Sequence, residues 1–146
     1  MLRRVMLAAS LALAAIGATS SRRAAPWIVL VYGNLLPERR ALVSWEENQK
    51  LLASLGPETV LPPGTARGGE RRGLELALFW GWQWKATAGA PASVRALRPE
   101  QANQRGWYYP AKDQAPAVMT LGSGFRVVGD SGLAVLRRHG IPTRVR

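Results

Sequence analysis

No cysteine occurs in the 146 residues of the chain. That excludes a disulfide framework, a thiolate nucleophile and a lipid-modified cysteine anchor. A chain of this length supports one domain, and its own core is enough to hold it. Histidine is nearly as scarce, His139 being the only one. A zinc centre would need clustered carboxylates, and the nine acidic residues are scattered. A Ser–His–acid triad would have to use His139, and no spacing supports one. Ser123, in Leu121-Gly122-Ser123-Gly124-Phe125, lacks the outer glycines of a nucleophile elbow. No metal or other cofactor is expected.

Other signatures are also missing. The apolar run Trp27–Tyr32 is followed by Gly33-Asn34, but no GxGxxG or GxxxxGK[ST] comes after it, which argues against nucleotide binding. No repeat of fixed period is visible. Negative charge is short: the formal net charge is +11, so the surface attracts polyanions. Of the 20 basic residues only Lys50, Lys85 and Lys112 are lysines. Together with abundant Ala, Gly and Pro, this arginine excess reflects a GC-rich genome as much as guanidinium chemistry.

The chain also lacks an apolar stretch long enough to span a bilayer, which takes about 20 residues. Val5–Ala18 falls short of that. With Arg3 and Arg4 before it and Ala18 and Ser20 after it, it reads as a signal peptide over residues 1–20. The expectation is therefore an exported protein, periplasmic or extracellular, with no span after cleavage; the alternative is a protein anchored by an uncleaved signal segment. Arg3-Arg4 loosely resembles a twin-arginine signal. Residues 21–26 would form a loose basic N-terminus, and 27–146 a single domain.

The stretch with most order is Gly73–Lys85. Leu74, Leu76, Leu78, Trp80, Trp82 and Trp84 alternate with Glu75, Ala77, Phe79, Gly81, Gln83 and Lys85. Six matches to a period of two predict a strand with one apolar face. At ~3.3 Å per residue it would span about 40 Å, roughly twice a usual strand. A bend is therefore expected at Gly81, leaving Leu74–Trp80 in the core and Trp82–Lys85 as a departing strand end.

Around it, Trp27–Tyr32 reads as a strand buried on both faces. Arg40–Val43 reads as an edge strand. Ser44 and Glu47 have capping-box spacing at the start of a helix over Trp45–Leu55, closed by Gly56-Pro57. Asn48 falls within its apolar face as a hydrogen-bonding residue. Thr59–Leu61 and Ser93–Leu97 are expected as short strands, and Ala86–Pro91 as a loop. Pro99 opens a helical turn through Gln104, and Trp107–Tyr109 has strand residues. Ala117–Leu121 and Phe125–Val128 flank a Gly-containing turn, a hairpin signature. Asp130 or Ser131 would cap a last helix over Gly132–His139, with His139 at its negative end. The predicted fold is α+β: a small, mainly antiparallel sheet with two packed helices.

The remaining constellation is aromatic, basic and amide-bearing. Trp82, Gln83, Trp84 and Lys85, with Asn103, Gln104, Arg105, Trp107, Tyr108 and Tyr109, offer rings and polar tips suited to sugars or bases. Arg67, Arg71 and Arg72, in the loop Pro62–Arg72, form a candidate anion-binding loop. Export argues against nucleic acid as the partner. The expected function is a non-enzymatic module that binds an anionic envelope component, a glycan or a lipid head group. The alternatives are an interaction subunit docking an envelope protein, and a small hydrolase or lyase using Glu75 or His139.

Overall fold

The computed structural model describes residues 25–59, 72–122 and 124–146. The stretch expected to be a signal segment, most of the basic stretch that follows it, Arg67, Arg71 and Ser123 lie outside the described residues.

A six-stranded sheet organises the chain, in the order β2-β1-β3-β4-β6-β7. Its strands are β1 (Ile28–Tyr32), β2 (Arg40–Leu42), β3 (Leu74–Phe79), β4 (Gln104–Tyr109), β6 (Val118–Thr120) and β7 (Arg126–Val127). Every neighbouring pair is antiparallel. Ile28–Val31 of β1 are buried because the strand lies inside the sheet with both faces covered there, and only Tyr32 at its end is half-buried. A separate parallel pair, β5 (Ala111–Lys112) with β8 (Arg144–Val145), ties the C-terminus back to the end of β4. The class is thus α+β.

Strand parity divides β3 between two cores. Leu74, Leu76 and Leu78 join Val29, Val31, Tyr108 and Met119 on one face. Helices α1 (Trp45–Ala53) and α4 (Asp130–Arg138) cover that face through Leu51, Val135 and Leu136. Ala77 and Phe79 join Ile28, Leu30 and Leu97 on the other. There the cover is two short helices, α2 (Lys85–Ala88) and α3 (Pro91–Ala96).

Both short helices depart from the expectations for those segments. Ala86–Pro91 is not wholly loop, and Ser93–Leu97 is not a strand. Pro91 sits in the first turn of α3, where its missing N–H has no bond to lose. The far end of α3 is closed from a distance: the Arg39 guanidinium donates to the carbonyls of Leu97 (2.6 Å), Val94 (2.9 Å) and Arg95 (2.8 Å). Nothing local in Pro91–Leu97 announces that cap. Of the expected strand Thr59–Leu61 only Thr59 is described, and it forms a bridge to Phe125.

The bend falls at Gly81, as expected, with φ 104° and ψ 156°, a conformation open only to glycine. Beyond it the chain does not continue as a strand end. It forms a 3-10 turn over Trp82–Trp84 that runs into α2. The change of period moves Trp84 to the opposite face from Trp80. Its ring meets Phe79 edge-on at 4.8 Å, whereas Trp80 packs with the helix-covered core.

Helix α1 starts where its cap predicts, with the Ser44 hydroxyl accepting from Glu47 N–H at 3.3 Å. Only that half of the capping box forms. The Glu47 carboxylate instead reaches α4, at 3.0 Å from His139 Nε2 and 3.2 Å from an Arg138 nitrogen. Helix α4 begins at Asp130 with Gly129 as its N-cap, and neither Asp130 nor Ser131 supplies a side-chain cap. His139 does close α4, and its carbonyl accepts from Arg40 Nε at 3.1 Å.

Candidate functional site

Among the described residues, the part of the second sheet face with no helix over it lies at the Leu74 end of β3. In the register Tyr32 pairs with Glu75, and Glu75 with Trp107, so three neighbouring strands set these side chains in one row. Arg105 and Tyr109 flank Trp107 on the same face of β4. The Trp107 and Tyr109 rings are near-parallel, 17° apart with centroids 6.3 Å apart. Phe125 extends the aromatic row, its centroid 6.3 Å from that of Tyr109. Gly73 allows this packing, because a Cβ there would lie 2.7 Å from the Tyr109 ring.

An open cleft of about 590 Å³ results from this arrangement. Gly33, Asn34 and Leu35 form one wall, from the turn after β1. Arg72, Gly73 and Glu75 form the base, with Trp107 and Tyr109 opposite. Tyr32 stands beside it, its hydroxyl accepting from an Arg105 nitrogen at 2.5 Å. Partial burial raises the Tyr32 phenol above its ordinary pKa of 10.0, and the Glu75 carboxylate adds to the effect; Arg105 opposes both.

A second aromatic group lies at the Phe79 end. Trp82 is 74 % exposed, the largest value among the exposed large hydrophobic residues described. Its ring centroid is 5.6 Å from that of Trp27, which lies 6.1 Å from that of Trp45. The Lys85 ammonium sits 4.8 Å from the Trp82 ring and 5.6 Å from the Trp27 ring, within cation–π range.

The residues singled out from the sequence therefore do not share one surface. Trp82, Gln83 and Lys85 stand at one end of the sheet, and Arg72, Arg105 and Trp107 at the other. Asn103 and Trp84 tie segments together: Asn103 Oδ1 accepts from the Trp80 backbone N–H at 2.8 Å and from Trp84 Nε1 at 3.1 Å. Tyr108 lies inside the helix-covered core, its ring fully buried and its hydroxyl donating to the Pro142 carbonyl at 2.8 Å. Parity separates it from Trp107 and Tyr109, so it cannot share their surface. Of the candidate anion-binding loop, only exposed Arg72 is described.

Sequence reasoning passed over Tyr32, Asn34, Trp27 and Trp45. Tyr32 ends an apolar run, and its place beside Glu75 is set by strand register, which no local pattern specifies. Among the described residues, no three His, Asp or Glu side chains are grouped to hold a metal ion. No helix of the described residues is long and apolar enough to cross a membrane. Comparison with family models, with curated proteins and with solved structures finds no match to this chain.

Proposed function

We propose that this is an exported, non-enzymatic module that binds an anionic envelope glycan in the cleft between Asn34 and Trp107. The observation that carries the reading is the near-parallel Trp107–Tyr109 pair forming one side of an open, half-polar cleft with Arg72 at its base. Sugars present apolar C–H faces to aromatic rings and hydroxyls to polar groups such as Glu75 and Asn34. Arg72, with Arg105 beside the cleft, favours a ligand carrying carboxylate or sulfate over a neutral one. Hydrolysis of a glycoside by the usual route needs two carboxyl groups flanking the bond, and Glu75 is the only acid among the described lining residues. Localisation in the envelope rests on the basic–apolar–small pattern of residues 1–20.

Calorimetry with soluble oligosaccharides that carry carboxylate, sulfate or no charge tests this. The acidic ligands should bind more tightly, and Trp107→Ala should weaken them about tenfold, roughly 1.4 kcal/mol. Equal affinity for all three ligand types, or undiminished binding by Trp107→Ala, would overturn the reading.

A further inference from the structure

We infer that the Phe79 end of the sheet, carrying Trp27, Trp45, Trp82 and Lys85, seats on the head-group layer of an anionic lipid bilayer. The inference stands apart from the glycan reading, because it concerns the other end of the sheet.

Three observations carry it. First, the exposed indole is held, not loose. Gly81 turns the chain out of the sheet, and Trp82 then rests against Trp27, which meets Trp45. An indole with one side packed and the other wet suits the boundary between acyl chains and water. Second, the charge beside the Trp82 ring is positive, the exposed acid Glu46 lying next to Trp45 instead. Lys85 is exposed, and its ammonium is kept beside the rings at 4.8 and 5.6 Å, ready to meet a lipid phosphate. Third, the preceding 24 residues join the described chain at this same end: Ala25 is two residues before Trp27. That stretch contains the apolar run Val5–Ala18 and then Arg22-Arg23. Insertion of its apolar run, even transiently before cleavage, would deliver this end of the domain to the bilayer first. A basic segment beside the surface adds attraction to anionic lipid.

The six tryptophans all lie between residues 27 and 107, so tryptophan emission reports on the domain and not on the leader. Full-length protein is mixed with phosphatidylcholine vesicles with or without phosphatidylglycerol, their acyl chains brominated near the head group. Quenching of emission should be stronger with phosphatidylglycerol and should fall about twofold or more in Trp82→Phe. Lys85→Glu should reduce the dependence on phosphatidylglycerol to the part that Arg22-Arg23 supplies, and Trp107→Phe should leave quenching unchanged. Trp82 is exposed, so its replacement by Phe does not threaten folding. Vesicle binding without quenching would show tethering by the leader alone and overturn the inference. Equal quenching in wild type and Trp82→Phe would also overturn it. So would a concentration-dependent dimer, without quenching, that Trp82→Phe returns to monomer. Loss of glycan binding in Trp107→Ala bears only on the cleft.

Discussion

Asn48 is fully buried in the apolar face of α1, and both amide hydrogens are used. They reach the carbonyls of Pro26 at 3.0 Å and Leu42 at 3.1 Å, pinning the chain before β1 and the end of β2 to the helix. Its Oδ1 has no partner among the described residues. The residue is structural: two buried carbonyls depend on it. Asn48→Ala should destabilise the fold by about 2–4 kcal/mol, read as a lowered urea midpoint at unchanged slope. Tyr32 offers a second residue-scale test. Its pKa is raised in the fold, so the folded state favours the neutral phenol. The stability it contributes is complete below the unfolded pKa of about 10 and is lost as pH rises through the higher folded value. Phenolate absorbance, compared with Tyr32→Phe, should show ionisation above the ordinary value. Glu75→Gln should bring it down, and Arg105→Ala should move it further up.

At the scale of elements, Gly81 is the pivot. Its φ and ψ are those of glycine alone, and a Cβ would collide with Gln83 Oε1. Gly81→Ala should cost about 1–3 kcal/mol of stability, measured by urea unfolding, by straining the turn that presents Trp82. The two flanking tryptophans differ in kind. Trp80 is half-buried at the edge of the helix-covered core, beside Leu55 and Leu121. Trp80→Ala should therefore cost about 2–4 kcal/mol, toward or below the low end of the range for a fully buried ring. Trp84→Ala should also destabilise, by less, through the lost Phe79 edge contact and the Asn103 bond. Much of this was legible. The alternation in Leu74–Phe79 places each side chain on its observed face, because a strand's period is fixed at two. The glycine that ends the alternation is the only residue there free to take that φ. The same parity rule, applied to Trp107-Tyr108-Tyr109, separates Tyr108 from its neighbours. Helix α3 could not be read: Pro91–Ala96 is short, and the carbonyls at its end are satisfied by Arg39, more than fifty residues earlier. Helix content that depends on such a distant partner leaves no local trace.

Across the whole molecule, the cleft and the tryptophan cluster are separated by the length of β3. From Glu75, in the cleft base, to Phe79 is about 13 Å of strand, and Trp82 lies beyond the bend. Among the described residues, no cleft-lining side chain belongs to the Trp27–Trp45–Trp82 cluster. The candidate site could not be divided this way from the sequence, since Trp82–Lys85 and Asn103–Tyr109 become neighbours or strangers only through the pairing of β3 with β4. Under the two proposals, a domain seated by its Phe79 end would hold the cleft away from the bilayer, toward polymer outside it. Sites this far apart with no shared partner should behave additively. Trp107→Ala should therefore lose acidic-oligosaccharide affinity and keep its quenching by brominated phosphatidylglycerol vesicles. Trp82→Ala should do the reverse, and the double variant should show the sum of the two losses within error. The measurement is one calorimetric and one fluorescence titration for each of the four proteins. A deficit in both assays from either single change would mean that the two ends of the sheet form one binding surface.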